Sequence, residues 1–328
     1  MDMAARLLTE LKHTFTSQWD VQVTAHCHIT MTPKHRFPPS NPRRPRTTVD
    51  VLNRMSAYYA CFERPGSNAL LPLALNRDTV LTISAVQALD PYLKHAADHV
   101  WAEGFIAQPC VRFTGRRDET GHLVNGYATS FINASYIQRL PDITTFAALM
   151  DLWIGALSAA GIHAARMQIS GRLTPWQRGS VSGLTLFITA DGRGLGDAVL
   201  LWDKQERLAA DFGTGIERLR WILNGSTWHQ AVFNQDLTPE LFAIKDALRA
   251  AVLLVLGGVR PAARGPGFHL RRLIRHIPSS IAAFGLSRAV RDSCAYWEQV
   301  GLRSLAWPHI TQILEDAITE SVPIGEAR

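Results

Sequence analysis

The chain has 328 residues, of which 47% are hydrophobic and 19% charged. This length and composition exclude a peptide, a disulfide-stapled miniprotein and a disordered or fibrous chain, and they favour a folded globular protein of one or two domains. Thirty-four Lys and Arg against 28 Asp and Glu leave a net charge of +6, a modest excess that suits polyanionic ligands such as nucleotides without requiring them.

The N-terminus and the cysteines indicate the compartment. The opening segment, MDMAARLLTELKHTF, carries charges where a signal peptide needs its apolar core. The longest apolar run, Ala250 to Val259, is too short to span a bilayer. The four cysteines stand far apart and form no Cys-x-x-Cys pair, which favours reduced structural thiols over a zinc site or a redox couple. We therefore predict a cytoplasmic protein with no membrane partner.

The first part of the chain predicts a helix and then a loop. Apolar residues recur at helical spacing from Met3 to Trp19, which predicts an amphipathic opening helix. The stretch Pro33 to Arg46 holds five prolines and six basic residues, and such a segment forms no packed element. We expect an exposed loop there, either simply solvated or in contact with a nucleic acid.

From Thr79 the pattern changes to short β-like runs separated by long helical stretches such as Ile143 to Gly161. Because the alternation is irregular, we predict an α+β fold with an antiparallel sheet surrounded by helices. Asp191 to Asp197 reads as a hairpin loop, and the chain after Gly213 as almost wholly helical. We predict domains at residues 1–225 and 226–328. The predicted strands are TVLTIS, IAQPCVRFT, YATSFINAS, LTLFITA and AVLLW.

The segment from Asp211 to Arg218 has the most specific local pattern. An acid is followed by Gly213 and Gly215 at alternate positions and then by a helix that carries Glu217 and an arginine. Glycines without side chains let a ligand approach the backbone at a strand-to-helix junction. The alternative is a plain glycine turn whose Glu217 and Arg218 are only solvated.

A second segment, Gln108 to Arg112, is followed by Arg116, a loop, and a return through Phe131 and Asn133. An arginine late in a strand can hold a phosphate in its planar fork, while an aromatic on the returning strand stacks on a base. The alternative is an ordinary surface arginine or ion pair.

In this order, the two segments resemble the second and third signature motifs of class II aminoacyl-tRNA synthetases, and specifically those of the alanyl-tRNA synthetase family. QPCVR with the following GR is similar to that family's Q-x-C-[VI]-R-x-x-G-K, and Asp211 to Arg218 is similar to its D-x-G-x-G-[LI]-E-R. Three further segments follow the family's order. They are Arg77 to Ser84, similar to D-P-T-L-L-F-T-N; Trp176 to Gly179, similar to W-Q-M-G; and Gly258 to His276, similar to G-V-x-P-S-N-x-G-R-G-Y-V-L-R-R-[IL]-I-R-R.

The resemblance implies a class II synthetase-like antiparallel sheet that binds ATP and activates alanine or a similar small amino acid as its adenylate. It implies two catalytic arginines, Arg112 on the α-phosphate and Arg218 on the distal phosphates. Arg116, Phe131 and Glu217 would complete the ATP site. Mg²⁺ would bridge phosphate oxygens, because polyphosphate transfer needs the negative charge of the phosphates neutralised. No cluster of protein side chains is predicted to hold the metal.

The resemblance also implies an amino-acid pocket and an acceptor surface. Asp211 would pair with the substrate ammonium, and Trp176, Gly213 and Gly215 would line the pocket. The helical region would meet an acceptor or RNA through arginines of its basic helix, namely Arg271, Arg272 and Arg275.

Departures from the family leave the acceptor open. The loop from Arg117 to Gly126 is two residues longer than the family's, and the 328 residues leave no room for the family's editing and C-terminal regions or their zinc site. We expect a short stand-alone paralogue, monomer or homodimer. It would pass the amino acid to a tRNA acceptor end, a small amine or nucleoside, or a carrier thiol. The alternative is a non-catalytic paralogue that binds an amino acid or nucleotide and regulates a partner.

Overall fold

A computed structural model describes residues 2–35, 46–64, 66, 70–75, 79–278, 285–302 and 306–321. Most of the basic loop predicted from Pro33 to Arg46, and the Arg77-Asp78 pair of one resemblance segment, lie outside the described residues.

Within the described residues, the fold is built on a nine-stranded sheet in which β1–β2, β2–β5, β5–β7, β6–β7, β7–β8, β8–β9 and β4–β9 pair antiparallel. Its order is β1-β2-β5-β7-β8-β9-β4-β3, and β6 pairs with β7 outside that row. The predicted α+β fold with an antiparallel sheet and surrounding helices is therefore confirmed. The strands are β1 (Trp19–Val23), β2 (His28–Pro33), β3 (Gly104–Val111), β4 (Ser130–Leu140), β5 (Met167–Arg172), β6 (Trp176–Arg178), β7 (Val181–Ala190), β8 (Arg193–Trp202) and β9 (Leu208–Gly215).

Two strand predictions need correction. The hairpin predicted at Asp191 to Asp197 exists, but its loop is only Asp191 and Gly192, and β8 already begins at Arg193. Both loop residues have positive φ, 50° and 75°, as a two-residue type I′ hairpin requires. The predicted strand TVLTIS is wrong: the segment forms one isolated bridge, Ala74 to Leu81, and a 3₁₀ turn follows at Ala85–Leu89.

Helices flank the sheet, and every regular element described after β9 is a helix. The predicted opening helix is confirmed but ends at Phe15, because Trp19 already belongs to β1. The helices are α1 (Met3–Phe15), α2 (Thr48–Cys61), α3 (Asp90–His95), α4 (Ile143–Ala160), α5 (Ile216–Asn224), α6 (Trp228–Phe233), α7 (Pro239–Leu256), α8 (Gly265–Ile274), α9 (Leu286–Glu298) and α10 (Trp307–Ser321).

Helix α4 packs one face of the sheet. Phe146 and Trp153 of α4 stack near Phe212 of β9, with ring centroids 5.1 and 6.5 Å apart, and α1 and α2 pack against the same helix. Among the described residues, α4 is the one helix long and apolar enough to cross a bilayer, yet more than half of it is buried inside the fold. This placement is that of a core helix and is compatible with a soluble protein.

The chain divides into two compact units. The first consists of Met1–Leu71, Ser84–Gln108 and Asn133–Val232, and it contains most of the sheet with α1 to α5. The second consists of Pro72–Ile83, Pro109–Ile132 and Phe233–Arg328, and it contains α7 to α10. The sequence-based division at residue 225 follows the change to a helical pattern along the chain, and it stays a prediction.

Candidate functional site

The segment from Asp211 to Arg218 forms a strand-to-helix junction in the first unit. β9 ends at Gly215, which is also the residue that caps the N-terminus of α5. Glu217 lies in the first turn of α5 and is 1% exposed, while Arg218 is half-buried. The structure thus places the two glycines at the junction that the sequence predicted.

Asp211 and Phe212 occupy opposite faces of the sheet, because successive strand residues alternate. Phe212 packs toward α4, so Asp211 and Gly213 belong to the other face. Asp211 is 8% exposed and pairs across the sheet with Val199 of β8 and Ile137 of β4.

Polar side chains surround the backbone at Gly213. A Cβ at this position would lie 3.0 Å from Ser135 Oγ, 3.4 Å from Asn133 Nδ2 and 3.6 Å from Asp197 Oδ1. These three side chains come from β4 and β8, the two strands that pair with β9. A side chain at Gly213 would therefore crowd a polar cluster, and glycine leaves these three side chains room beside β9.

The amide of Asn133 has a fixed orientation. Its Oδ1 accepts hydrogen bonds from the backbone N–H of Ala85 at 2.8 Å and from the hydroxyl of Ser135 at 3.1 Å. The donor Nδ2 consequently faces β9, where it bonds to the Thr214 carbonyl at 3.4 Å. In the sequence, Asn133 stands out only as part of a returning strand, and no local pattern marks Ser135 or Asp197. Only the strand register shows that all three adjoin Gly213.

Trp176 lies on the same face of the sheet as Asp211. Its position in β6 pairs with Gly183 of β7, and its indole Nε1 donates a hydrogen bond to Thr185 Oγ1 at 2.9 Å. Thr185 pairs with Val199, and Val199 pairs with Asp211. Two inter-strand steps of about 5 Å separate Thr185 from Asp211. The structure therefore brings Trp176, Asp211 and Gly213 to one face of the sheet.

Arg112 and Phe131 form a pair in the second unit. Arg112 directly follows β3, and Phe131 is the second residue of β4. The guanidinium carbon of Arg112 lies 5.1 Å from the centre of the Phe131 ring, and Nη2 donates a hydrogen bond to the Ile83 carbonyl at 2.7 Å. The two residues predicted to share one ATP site are therefore in contact.

Arg116 is exposed at the base of the loop that connects β3 and β4. Its carbonyl accepts the Val124 N–H at 3.0 Å, which closes a small hairpin. At the tip, the hydroxyl of Thr120 and the backbone N–H groups of Thr120 and His122 bond to Asp118 and hold the pKa of that carboxyl below its ordinary value. The longer loop is thus an ordered turn with Arg116 at its start.

The basic helix α8 presents its arginines to solvent. Arg271, Arg272 and Arg275 are all exposed. The guanidinium carbon of Arg272 lies 5.2 Å from the centre of the Phe113 ring, on which His269 also stacks at 5.2 Å. Desolvation, with a smaller contribution from Arg272, lowers the pKa of His269. Arg272 therefore contacts Phe113, the residue that follows Arg112. Arg271 lies in the last turn of α8, and Arg275 is the residue that follows the helix.

The candidate site residues fall into two sets. Asp211, Gly213, Gly215, Glu217, Arg218 and Trp176 belong to the first unit, and Arg112, Arg116, Phe131, Arg271, Arg272 and Arg275 to the second. Within the described ranges, no group of three or more His, Cys, Asp or Glu side chains is arranged to hold a metal ion. The chain matches no protein-family model, and no curated protein matches it significantly.

Proposed function

We propose that this chain activates a small amino acid with ATP as an aminoacyl adenylate and transfers it to an acceptor. The single observation that carries the proposal is that an acid, an indole and a glycine backbone, namely Asp211, Trp176 and Gly213, belong to one face of the sheet. The antiparallel sheet and the five-segment resemblance to the alanyl-tRNA synthetase family support it. A class II synthetase fold is part of this proposal.

The amino-acid half of the site needs one fixed negative charge in a small space. The carboxylate of Asp211 would pair with the substrate ammonium in a charge-assisted hydrogen bond. Trp176 would form one wall of the amino-acid pocket. The backbone around Gly213 and Gly215 would lie against the carboxylate end of the substrate. Because side chains already crowd Gly213, a small amino acid is favoured, with alanine as the leading candidate.

The chemical step requires positioning more than proton transfer. A carboxylate oxygen of the amino acid attacks the α-phosphorus of ATP, an oxygen–phosphorus bond forms, and the bond to the leaving pyrophosphate breaks. Arg112 would neutralise the α-phosphate and Arg218 the distal phosphates, while Arg116, Phe131 and Glu217 hold the nucleotide. No general base is needed, because the attacking carboxylate is already ionised.

Mg²⁺ fits this site only as a companion of the nucleotide. Mg²⁺ prefers oxygen ligands and is commonly held by substrate phosphates with one or two carboxylates. In the described residues no group of three metal ligands exists, and Glu217 in the first turn of α5 is only 1% exposed, so the phosphates would supply most of the coordination that the protein side lacks. The metal would supply charge neutralisation on the phosphates.

The acceptor remains one of three classes: a tRNA acceptor end, a small amine or nucleoside, or a carrier thiol. The exposed arginines of α8 support an anionic acceptor such as RNA. A cytoplasmic location and a monomer or homodimer complete the proposal.

Amino-acid-dependent ATP–pyrophosphate exchange across the common amino acids tests the proposal. Exchange with alanine or a close relative is expected, and Asp211→Ala and Arg112→Ala should each abolish it. Arg54→Ala, which removes an exposed arginine of α2, is the matched control and should exchange like the parent chain. Folded protein that exchanges with no amino acid would overturn adenylation and favour the regulatory paralogue.

A further inference from the structure

Two charged side chains of α7 are buried although neither belongs to the site described above. Asp246 and Arg249 are each 2% exposed. A buried charge is costly unless hydrogen bonds and an opposite charge compensate it, so the groups these residues bind are informative.

Asp246 binds the backbone at the start of β4. Both of its carboxylate oxygens accept the backbone N–H of Thr129, each at 3.0 Å. Burial raises the pKa of this carboxyl, while the charge of Arg249 and the bonds from Thr129 and Ser130 act in the opposite direction. The carboxylate thus fixes one residue of the strand against α7.

Arg249 binds the next residue. Its guanidinium donates hydrogen bonds to the Ser130 carbonyl and, from Nε at 3.3 Å, to the Ser130 hydroxyl. The guanidinium carbon also lies 4.9 Å from the ring centres of Phe233 and Tyr296. An aromatic enclosure of this kind restricts an arginine to one orientation and strengthens each hydrogen bond it makes.

The two residues held by α7 are connected directly to the proposed nucleotide site. The Thr129 carbonyl accepts the backbone N–H of Arg112 at 2.8 Å, and Ser130 immediately precedes Phe131. The segment Thr129-Ser130 is therefore bound by α7 on one side. On the other side it bonds to the backbone of Arg112 and leads directly into Phe131.

We infer that Asp246 and Arg249 are positioning residues for ATP, acting through Thr129 and Ser130 on Arg112 and Phe131. The inference rests on the proposed function, since it assigns these residues to the nucleotide half of that site. They touch no substrate atom. In the proposed site they set the positions of the phosphate-binding arginine and of the aromatic ring.

The experiment measures ATP affinity and pyrophosphate exchange of the full-length chain for Asp246→Asn, Arg249→Lys and Ser130→Ala. Asp246→Asn is isosteric and keeps one acceptor, and Ser130→Ala removes only the hydroxyl contact, so folding survives in at least one variant. The matched control is Leu248→Ala, a buried α7 substitution on another face of the helix. Thermal unfolding of every variant is recorded beside the kinetics.

The expected result separates positioning from stability. Asp246→Asn and Arg249→Lys should raise the Kd and KM for ATP about tenfold, the equivalent of one charged hydrogen bond, with the KM for the amino acid nearly unchanged. Leu248→Ala should lower the unfolding temperature and leave the KM for ATP as it is. Parent-like ATP affinity in the folded variants would overturn the positioning role alone. A parent chain that binds no ATP would overturn the proposed function and this inference together.

Discussion

At the scale of single residues, Gly183 shows how one missing side chain places another. The indole of Trp176 lies against its backbone, and a Cβ at Gly183 would stand 2.8 Å from Cε2 and closer still to the edge of the ring. The position of the Trp176 indole therefore requires glycine at position 183 of the neighbouring strand. The hydrogen bond to the Thr185 hydroxyl then fixes the orientation of the ring.

Gly183→Ala should displace the indole of Trp176 and loosen the amino-acid pocket. We expect a loss of about 1–3 kcal/mol in the free energy of unfolding, as for other overpacked positions. We also expect a higher KM for the amino acid with little change for ATP. Denaturant unfolding and exchange kinetics measure both.

Gly194→Ala is the matched control, because nothing lies within 4 Å of a Cβ at that position of β8. It should behave like the parent chain. If Gly183→Ala left the KM for the amino acid unchanged in folded protein, Trp176 would have no part in the pocket.

At the scale of elements, an N-cap side chain fixes where the core helix α4 begins. α4 starts after Asp142, whose carboxylate accepts the Thr145 backbone N–H and hydroxyl, both at 2.8 Å. These bonds hold the pKa of Asp142 below its ordinary value. An ionised carboxylate at this position also faces the positive end of the helix dipole.

Asp142→Ala should lower the free energy of unfolding by about 1 kcal/mol at neutral pH, the usual value of an N-cap. Because the pKa is lower in the folded chain, the contribution is fully present above the unfolded carboxyl value of about 3.9 and is lost as the pH falls through the lowered folded value. The difference between variant and parent should therefore shrink in acid. Chemical denaturation between about pH 7 and pH 2.5 covers that interval.

The exposed Asp292 within α9 offers a control for the cap. Its replacement by alanine should cost no stability at any pH. A deficit for Asp142→Ala that stays constant into acid would show that the cap acts without its charge.

At the scale of the whole molecule, the net charge of +6 includes the three exposed arginines of α8. If RNA is the acceptor, Arg271→Ala and Arg275→Ala should weaken binding of a short acceptor-stem hairpin. Each should also reduce the slope of log affinity against log salt by about 0.9. Fluorescence anisotropy at several salt concentrations measures the slope.

Arg54→Ala is again the control, since this arginine is exposed on α2. Unchanged slopes for both α8 variants would exclude α8 as an RNA contact. The small amine, nucleoside or carrier thiol would then be the acceptor to pursue.

Features set by adjacent residues, such as turns and glycine junctions, could be predicted from the sequence. Contacts between residues far apart in the chain could not. The glycines of the β9–α5 junction and the Asp191 hairpin could be predicted, because their backbone requirements are visible in adjacent residues. Asp197 reads as part of a glycine-rich loop, and only the pairing of β8 with β9 places it beside Gly213. Asp246 likewise reads as a helix-surface acid until Thr129, 117 residues earlier, is seen to bind it.

The second unit is made of three separate chain segments, which leave the ribosome at different times. Pro72–Ile83 and Pro109–Ile132 emerge well before Phe233–Arg328, which carries α7 and the remaining helices of that unit. At ordinary elongation rates the intervening stretch of roughly 100 residues takes about 5–20 s to translate. Until then the nascent chain has Arg112 and Phe131 but lacks Asp246 and Arg249. Nucleotide binding of the proposed kind would therefore arise only after α7 has been translated.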